Sequence, residues 1–332
     1  MILVVGASGY LGGLICKELV RQGKPVRAMV RKTSETRYLT ALGVDLAYAD
    51  LNDPATLPPA VRGCQAVIYT ATAAVPTQKG DTIAGDARRA RAMIDAAQAA
   101  GVGKFVFISS VTPPGSGLPE LMRCKLEAEH HLEASGLDYT VLQSDAFMEV
   151  WLAMMGSSIP IAAVEPGLRH TLDRASGFAR RFFSSMRHDI EAKGVAHVNG
   201  SGQARVSYVA TADVARIAVG CLDNPVCRRS KLAVGGEPLS ADQVAKIFGK
   251  VLGRSVRLRK TPLPVLRLMG RVVGMFDRSA GEMITASAYL ANVDSVVDTT
   301  RLRHAFPDLR LQTVEEFLRE RVNLVPVRAK SA

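Results

Sequence analysis

The glycine spacing near the start of the chain is the feature that most restricts its fold. Residues 2–5 form a short apolar run rich in β-branched side chains, which predicts a strand buried on both faces of a parallel sheet. Gly6, Gly9 and Gly12 follow at once, and from Tyr10 the apolar residues repeat with helical spacing. Unpaired N–H groups and the helix dipole converge at such a turn. The stretch therefore predicts a dinucleotide pyrophosphate site, the alternative being a glycine turn without nucleotide.

Strands and helices alternate with short links through the first 145 residues. Further strands are predicted at 25–30, 44–49, 66–69, 104–108 and 139–142, with helices between them at 86–100 and 120–134. This alternation predicts an α/β fold with a doubly wound parallel sheet. Ligands of such sheets bind outside the carboxyl ends of the strands, near the point where the strand order reverses.

The composition excludes several classes of protein. Of the 332 residues, 48% are hydrophobic and 22% are charged, which is typical of a globular chain. No apolar run is long enough to cross a membrane, and a strand beginning at residue 2 leaves no room for a signal peptide. Five cysteines without a C-x-x-C pair fit a reducing cytoplasm and argue against a metal site or disulfides. The net charge of +11 favours anionic small molecules, and no pattern indicates nucleic acid.

Two cations follow the second predicted strand. Arg31 and Lys32 stand where a fold that prefers NAD carries Asp or Glu for the ribose 2′-hydroxyl. A cation there suits the 2′-phosphate of NADP(H), which arginine can bind with two hydrogen bonds. A solvated pair at the end of a strand is the alternative.

Regularity ends near residue 145, and we expect a core at 1–146, a C-terminal substrate or partner region at 147–325 and a tail at 326–332. Residues 204–222 are expected to return to the core. The apolar stretch 147–163 either lines a substrate cleft, through Phe147, Met148 and Trp151, or packs in a core. Residues 169–193 alternate arginines with phenylalanines and predict one basic amphipathic helix. That helix is a lid, a surface for an acidic protein or a membrane, or a solvated face.

Several later elements are predicted as well. Strands are expected at 204–209, 231–234 and 256–259, and helices at 264–276, 280–292 and 314–321. Thr211 or Asp213 is expected to cap a helix that runs to about residue 222. Ser240 and Gly253 should bound a helix at 240–252.

At this point the residues resemble those of a known family. The chain resembles the atypical short-chain dehydrogenase/reductases of the NmrA-like group, which have a Rossmann fold and include isoflavone, phenylcoumaran and quinone reductases and redox-sensing regulators. The runs that carry the resemblance are Gly6-Ala-Ser-Gly-Tyr-Leu-Gly12, Val26-Arg-Ala-Met-Val-Arg31, Ala49-Asp-Leu51, Phe105-Val-Phe-Ile-Ser-Ser110 and Gly136-Leu-Asp-Tyr-Thr140. Residues 1–65 also resemble photosystem II assembly factors of this group, and residues 165–195 look like extra sequence.

The resemblance implies a set of cofactor contacts. The 6–12 turn, including Ser8, Tyr10 and Leu11, would bind pyrophosphate, Arg31 with Lys32 the 2′-phosphate, and Asp50 with Leu51 the adenine. Ala71, Thr72, Ala73 and Lys125 would lie on the nicotinamide side. Ser109 and Phe147 are expected beside the cofactor, and Ser110, Met148 and Trp151 beside a small apolar substrate.

One departure affects the chemistry. Typical short-chain dehydrogenases place Tyr four residues before the active-site Lys, but Leu121 stands there and cannot donate a proton. The isoflavone and phenylcoumaran reductases also lack that Tyr. Lys125 is therefore either a catalytic group with a pKa lowered by burial or only a ribose ligand. Two functions follow: reduction by NADPH of a quinone, activated alkene or similar acceptor, or a non-catalytic sensor or assembly factor acting through protein partners.

Overall fold

The protein folds around a parallel sheet. A computed structural model describes residues 1–74, 81–112, 117–162, 165–174 and 177–325. Its twelve strands in that part of the chain are β1 Ile2–Val5, β2 Val26–Val30, β3 Asp45–Tyr48, β4 Ala66–Tyr69, β5 Lys104–Ser110, β6 Tyr139–Ser144, β7 Ala146–Phe147, β8 Val195–Asn199, β9 Val206–Val209, β10 Ser230–Val234, β11 Pro238–Leu239 and β12 Arg257–Thr261. The predicted tail, 326–332, lies outside the described residues.

Helices occupy most of the links between these strands. Among the described residues they are α1 Tyr10–Arg21, α2 Arg37–Ala41, α3 Leu57–Val61, α4 Asp86–Ala99, α5 Glu120–Ala134, α6 Met148–Met154, α7 Gly177–Met186, α8 Asp189–Lys193, α9 Thr211–Gly220, α10 Ala241–Leu252, α11 Leu263–Gly274, α12 Arg278–Leu290, α13 Thr300–Ala305 and α14 Val314–Val322.

The main sheet has seven strands in the order β10-β6-β5-β4-β1-β2-β3, all parallel to their neighbours. The order reverses between β1 and β4, so a crevice opens at the carboxyl ends of these two strands. This confirms the doubly wound sheet that the alternation of strands and helices predicted. It also places the glycine turn beside the residues that follow β4.

Helices cover both faces of the sheet because the strands are apolar on both faces. Ile2 and Val4 of β1 pack in the core that contains α1 and α9, whereas Leu3 and Val5 face the core that contains α4. All four side chains are less than a tenth exposed. Alternate residues of a strand point to opposite faces, and burial of both faces explains why β1 is a continuous apolar run.

The chain after residue 147 builds its own core and also returns to the sheet. Strand β10 pairs with β6, and α9 packs in the same core as α1. A third core lies between α6, β8, β9, α10 and α14, and its largest side chains include Phe248 and Phe317. Helix α10 is capped by a Ser240–Gln243 box and ends at Gly253 in the left-handed conformation, as its sequence predicts.

Three predictions for this region are wrong in part. Residues 169–193 do not form one helix: a 3-10 turn at Leu172–Arg174 precedes α7 and α8. The chain turns after α7 so that Ile190 is buried and Asp189 bonds His197 Nε2 at 2.7 Å. No element was predicted for residues 195–199, where the structure has strand β8, which pairs with β12.

The cap of α9 also differs from the prediction. Neither Thr211 nor Asp213 is the N-cap, which is Ala210 and makes no side-chain bond. The buried carboxylate of Glu149, from α6, accepts the Thr211 N–H and hydroxyl at 3.1 and 2.6 Å. A group remote in sequence therefore satisfies the helix end, which local spacing cannot reveal.

The link between β6 and β7 generates a pH prediction. Asp145 accepts the Ser207 N–H at 2.9 Å, and burial raises the pKa of its carboxyl from 3.8 to about 7. Because the pKa of Asp145 is higher in the folded than in the unfolded protein, its protonated form stabilises the fold below about pH 4. This contribution to the free energy of unfolding is lost as the pH rises through 7, and it amounts to about 1.4 kcal/mol for each pH unit between the two pKa values. Urea denaturation should show that Asp145→Asn gains stability over the natural protein at pH 8 but not at pH 4.

The control is Asp294→Asn, at an exposed carboxylate whose pKa is lowered by the Arg205 N–H. That variant should show no gain at pH 8. A natural protein whose free energy of unfolding rises from pH 4 to pH 8 by as much as that of Asp145→Asn would contradict the assignment.

Candidate functional site

The glycine turn has the backbone geometry of an anion site. Gly6 has a φ of +86°, and a Cβ there would lie 2.6 Å from Thr70 Oγ1. A Cβ on Gly12 would lie 2.2 Å from the Gly6 carbonyl oxygen, so the turn closes only with glycine at both positions. Gly9 is the N-cap of α1 and has no side chain to accept a first-turn N–H. With no acidic residue in that turn, the helix N-terminus suits a phosphate.

The side chains around the turn point in different directions. Tyr10 is buried and packs edge-on against His170, with ring centroids 5.0 Å apart, so only its backbone faces the turn. Leu11 is half-buried against the core that contains α9. Ser8 lines a cavity together with residues that follow β2.

Arg31 has an acidic partner, which the sequence analysis did not expect. Its Nη1 lies 3.0 and 3.1 Å from the two carboxylate oxygens of Asp81. Asp81 is 50 residues further along the chain, so no local pattern predicts the pair. Lys32 is exposed. A ligand phosphate at Arg31 therefore competes with, or shares the arginine with, a carboxylate.

A buried ion pair on α4 holds the loops at the carboxyl ends of β3 and β4. Asp86 and Arg89 are both about 5% exposed, and their charged atoms lie 2.5 Å apart. Asp86 accepts the Thr72 hydroxyl at 2.7 Å and the Ala73 N–H at 3.0 Å. The predicted nicotinamide-side segment, Ala71 to Ala73, is therefore fixed to α4.

Arg89 extends this network towards the predicted adenine side. It donates to the Thr82 carbonyl at 2.5 Å and to Asn52 Oδ1 at 3.3 Å. Asp50 accepts the Asn52 N–H at 2.9 Å, and Leu51 packs on the core next to α4. Buried polar groups on a helix usually lack a recognisable local pattern, and neither Asp86 nor Arg89 was predicted to have a role.

Lys125 is buried at the end of β5. Its Nζ donates to the Ile108 carbonyl at 3.0 Å and lies 5.0 Å from the centre of the Phe107 ring. Burial lowers the pKa of its ammonium group, and the charges of Asp86 and Glu129 oppose that shift. Leu121 lies one turn earlier on α5 and is half-buried. Its hydrocarbon side chain offers no proton donor. The Lys125 amine therefore lies beside the carboxyl end of β5, and its pKa is lowered.

The hydroxyls at the ends of β5 and β6 fall into two groups. Ser109 donates to the buried carboxylate of Glu129 at 2.5 Å and is committed to that bond. Ser110, Thr112 and Ser144 have buried hydroxyl oxygens that meet no hydrogen-bond partner within the described part of the chain. Ser110 and Ser144 are paired in register on adjacent strands. Unpartnered buried hydroxyls of this kind are typical of a site that awaits a ligand.

The predicted substrate residues occupy different environments. Phe147 is half-buried at the start of α6, next to the core that contains α1. Met148 is completely buried in the C-terminal core, where it packs and is not open to a ligand. Trp151 is half-buried against the same core. Cys124 is buried, and burial raises the pKa of its thiol, which does not suit a reactive cysteine.

Residues 165–174 pack directly on α1, the helix that follows the glycine turn. Leu168 lies so close that a Cβ on Gly13 would be 2.6 Å from its Cδ1, and Lys17 pairs with Glu165 at 2.5 Å. Arg169, which follows Leu168, lines a cavity of about 250 Å³. The cavity is also lined by Ala7, Ser8, Thr33 and Arg180. The extra sequence therefore brings two arginines to the cavity beside the glycine turn.

A buried cluster of polar side chains next to α1, formed by Tyr10, Glu149, His170 and Arg321, was not predicted either. Glu149 and Arg321 lie 4.0 Å apart at the nearest atoms, and the Arg321 guanidinium stacks 3.7 Å from the Phe317 ring. Burial, with Arg187 and Arg321, lowers the pKa of His170 to about 3. Burial, with Glu149, raises the pKa of Tyr10 to about 12. The cluster joins α1 to the C-terminal helix.

Comparisons with known proteins agree with this architecture. The sequence model of the NmrA-like family matches residues 1–318. The chain is 27% identical over 277 residues to the photosystem II assembly factor Ycf39 of Trieres chinensis, a match that covers 83% of this chain and 76% of the relative. It is 28% identical over 307 residues to the NAD(P)H azoreductase of Xenophilus azovorans, covering 90% and 93%.

A solved structure shares the fold. The NADPH-dependent quinone oxidoreductase QOR2 of Escherichia coli, complexed with NADPH, aligns with a TM-score of 0.68 at 21% identity, over 96% of this chain and 99% of that one.

The Asp86–Arg89 pair generates a stability prediction. Asp86→Ala leaves a buried guanidinium uncompensated and should cost about 3–5 kcal/mol of unfolding free energy. Asp95→Ala on the same helix removes a carboxylate that is 59% exposed and pairs with His131, so the loss should be about 0–1 kcal/mol. Urea denaturation of both variants tests this, and equal small losses would contradict the role given to Asp86.

Proposed function

The chain belongs to the NmrA-like family, and from that premise we propose that it is an NADPH-dependent reductase. Its acceptor is a quinone, an activated alkene or another apolar small molecule. The observation that carries the proposal is the placement of Lys125: a buried amine bonded to Ile108 at the carboxyl end of β5, two strands from the glycine turn. The family relatives include an azoreductase, and QOR2 supports the same class of chemistry.

The residues present fit NADP(H). The first turn of α1 offers N–H groups to the pyrophosphate, and Arg31, which pairs with Asp81, would share its guanidinium with the 2′-phosphate. Arg169 and Arg180 line the cavity that contains Ser8 together with the carboxylates of Glu35 and Asp173, so the phosphates would depend chiefly on the N–H groups of α1. Asp86 fixes Thr72 and Ala73 where the nicotinamide-side ribose would lie.

Bound NADPH supplies the hydride, and the protein has to orient the acceptor and provide a proton for its oxygen. Leu121 excludes the usual tyrosine donor. Lys125 holds the ribose and, because burial lowers its pKa, gives up a proton more readily than an exposed lysine. The unpartnered hydroxyl of Ser110 donates a hydrogen bond to the acceptor's oxygen as charge develops there.

A second candidate is a non-catalytic assembly factor or sensor. The match to Ycf39 over 83% of the chain and the missing tyrosine favour it. In that case the protein binds NADP(H) and acts through protein partners. Steady-state oxidation of NADPH against a panel of quinones, enones and azo dyes separates the two: binding of NADPH without oxidation by any acceptor would favour the second candidate.

Cofactor preference is the first prediction from this proposal. NADPH should bind more tightly than NADH, and Arg31→Ala should weaken NADPH about 10- to 100-fold, the worth of charge-assisted hydrogen bonds, while leaving NADH nearly unchanged. Asp81→Asn should strengthen NADPH binding, because it removes the carboxylate that holds Arg31. Titration calorimetry measures both.

The matched control is Arg37→Ala, at an arginine that is 90% exposed and pairs with Glu35. It should leave both affinities unchanged. Equal affinity of the natural protein for the two cofactors, or weaker NADPH binding by Asp81→Asn, would contradict the role of Arg31.

The second prediction concerns Lys125. Lys125→Met should lower kcat by at least about 100-fold, the usual contribution of a positioned acid, and weaken NADPH binding far less. Stopped-flow turnover and NADPH titration measure the two effects. Lys246→Met, at an exposed lysine of α10, is the control and should change neither. Equal losses in turnover and binding would reduce Lys125 to a ribose ligand.

A further inference from the structure

The helical hairpin of α11 and α12 has an apolar outer face. Val265, Leu268, Val272 and Met275 recur at spacings of three and four residues and are 45%, 62%, 47% and 79% exposed. Phe276, at the turn of the hairpin, is 85% exposed. Three- and four-residue spacing places side chains on one side of a helix. Large apolar side chains are thus gathered in one stripe that ends at the exposed turn of the hairpin, which is unusual for a surface facing only water.

Close packing of the two helices fixes this orientation. A Cβ on Gly281 would lie 2.5 Å from Gly274 Cα and 2.8 Å from the Gly270 carbonyl oxygen. Small residues therefore form the contact between the helices, and the larger apolar residues of α11 are directed outwards. The exposed stripe is a consequence of how the hairpin is built, and rotating α11 to bury it would force side chains into this contact.

Positive charge accompanies the apolar stripe. The hairpin itself, residues 263–290, contains three arginines, one aspartate and one glutamate, a net charge of +1, and β12 immediately before it adds Arg257, Arg259 and Lys260. The aspartate, Asp277, is occupied in capping α12 through the Ala280 N–H. Arg267 and Arg271 are exposed on α11 and form no ion pair with any residue that the structure describes. An apolar stripe flanked by arginines matches a helix that lies in the interface of an anionic bilayer.

We propose that the α11–α12 hairpin docks the protein on an anionic lipid surface, with Met275 and Phe276 inserted below the headgroups and Arg267 and Arg271 against the phosphates. No helix in the described ranges has the length and apolarity to cross a bilayer, so the contact is peripheral. A second copy of the chain is a poor occupant because it would bring the same two exposed arginines, Arg267 and Arg271, to the interface. The proposal does not depend on the reductase activity.

Flotation of the full-length protein with vesicles tests the proposal. The natural protein should float with phosphatidylcholine–phosphatidylglycerol vesicles and much less with phosphatidylcholine alone. Leu268→Ser with Phe276→Ser should lower the partition coefficient at least about tenfold, since each side chain loses most of its apolar burial. Arg267→Gln with Arg271→Gln should weaken binding to the anionic vesicles only.

The overall charge of +11 requires a matched control, because any basic protein is drawn to anionic vesicles. Arg301→Gln with Arg303→Gln removes the same charge from exposed positions on α13 and should retain the natural partition coefficient. Val226→Ser, at a side chain 43% exposed elsewhere, is the apolar control. Unchanged melting temperatures show that each variant is folded.

Three results would overturn the proposal. The first is a natural protein that stays unbound with both kinds of vesicle. The second is a Leu268→Ser, Phe276→Ser variant that floats as well as the natural protein. The third is a natural protein that self-associates through the hairpin, or forms a salt-sensitive complex with an acidic protein through it, without binding vesicles.

Discussion

The arrangement of the candidate site depends on the buried ion pair between Asp86 and Arg89. Asp86 binds the loop after β4, and Arg89 binds the loop after β3 and the segment that enters α4. Parallel strands bring their carboxyl ends to one edge, but the loops beyond that edge carry unpaired backbone groups that need partners. The Asp86 carboxylate and the Arg89 guanidinium, both on α4, provide these partners for Ala73 and Thr82. Each charge is compensated by the other, so the pair is tolerated in an interior where either alone would be costly.

The centre of the main sheet was predictable because β1, β4 and most of β5 are continuous apolar runs, a pattern that follows from burial on both faces. The same reasoning predicted Ser240 and Gly253, whose bonds are local in sequence. The errors have one physical cause, which is contact between residues remote in sequence. Asp81 lies 50 residues from Arg31, and Glu149 lies 62 residues from the Thr211 that it caps. No spacing rule along a single chain shows such pairs.

The extra sequence at 165–195 illustrates the same limit. Its alternating arginines and phenylalanines favoured one solvent-facing helix, a lid or a docking surface. In the structure its buried members, Leu168, His170 and Ile190, tie it to α1 and to the C-terminal core. Both ends of the segment are therefore packed parts of the fold, whereas Arg181 and Phe182 of α7 between them are exposed, and Arg169 and Arg180 line the cavity beside the glycine turn. The alternation of arginine and phenylalanine in this segment did not show which side chains are buried, since Phe182 is 37% exposed.

The missing tyrosine is compatible with reduction when the surroundings of Lys125 are considered. Here the lysine is buried against the Phe107 ring and a backbone carbonyl, and its charged form is disfavoured by desolvation. A lowered pKa is the property that the proposed proton transfer from Lys125 requires. The charges of Asp86 and Glu129 oppose this lowering of the Lys125 pKa. Whether reduction survives the loss of the tyrosine is thus decided by the balance between burial and two acidic neighbours, a balance that the identity of residue 121 alone does not reveal.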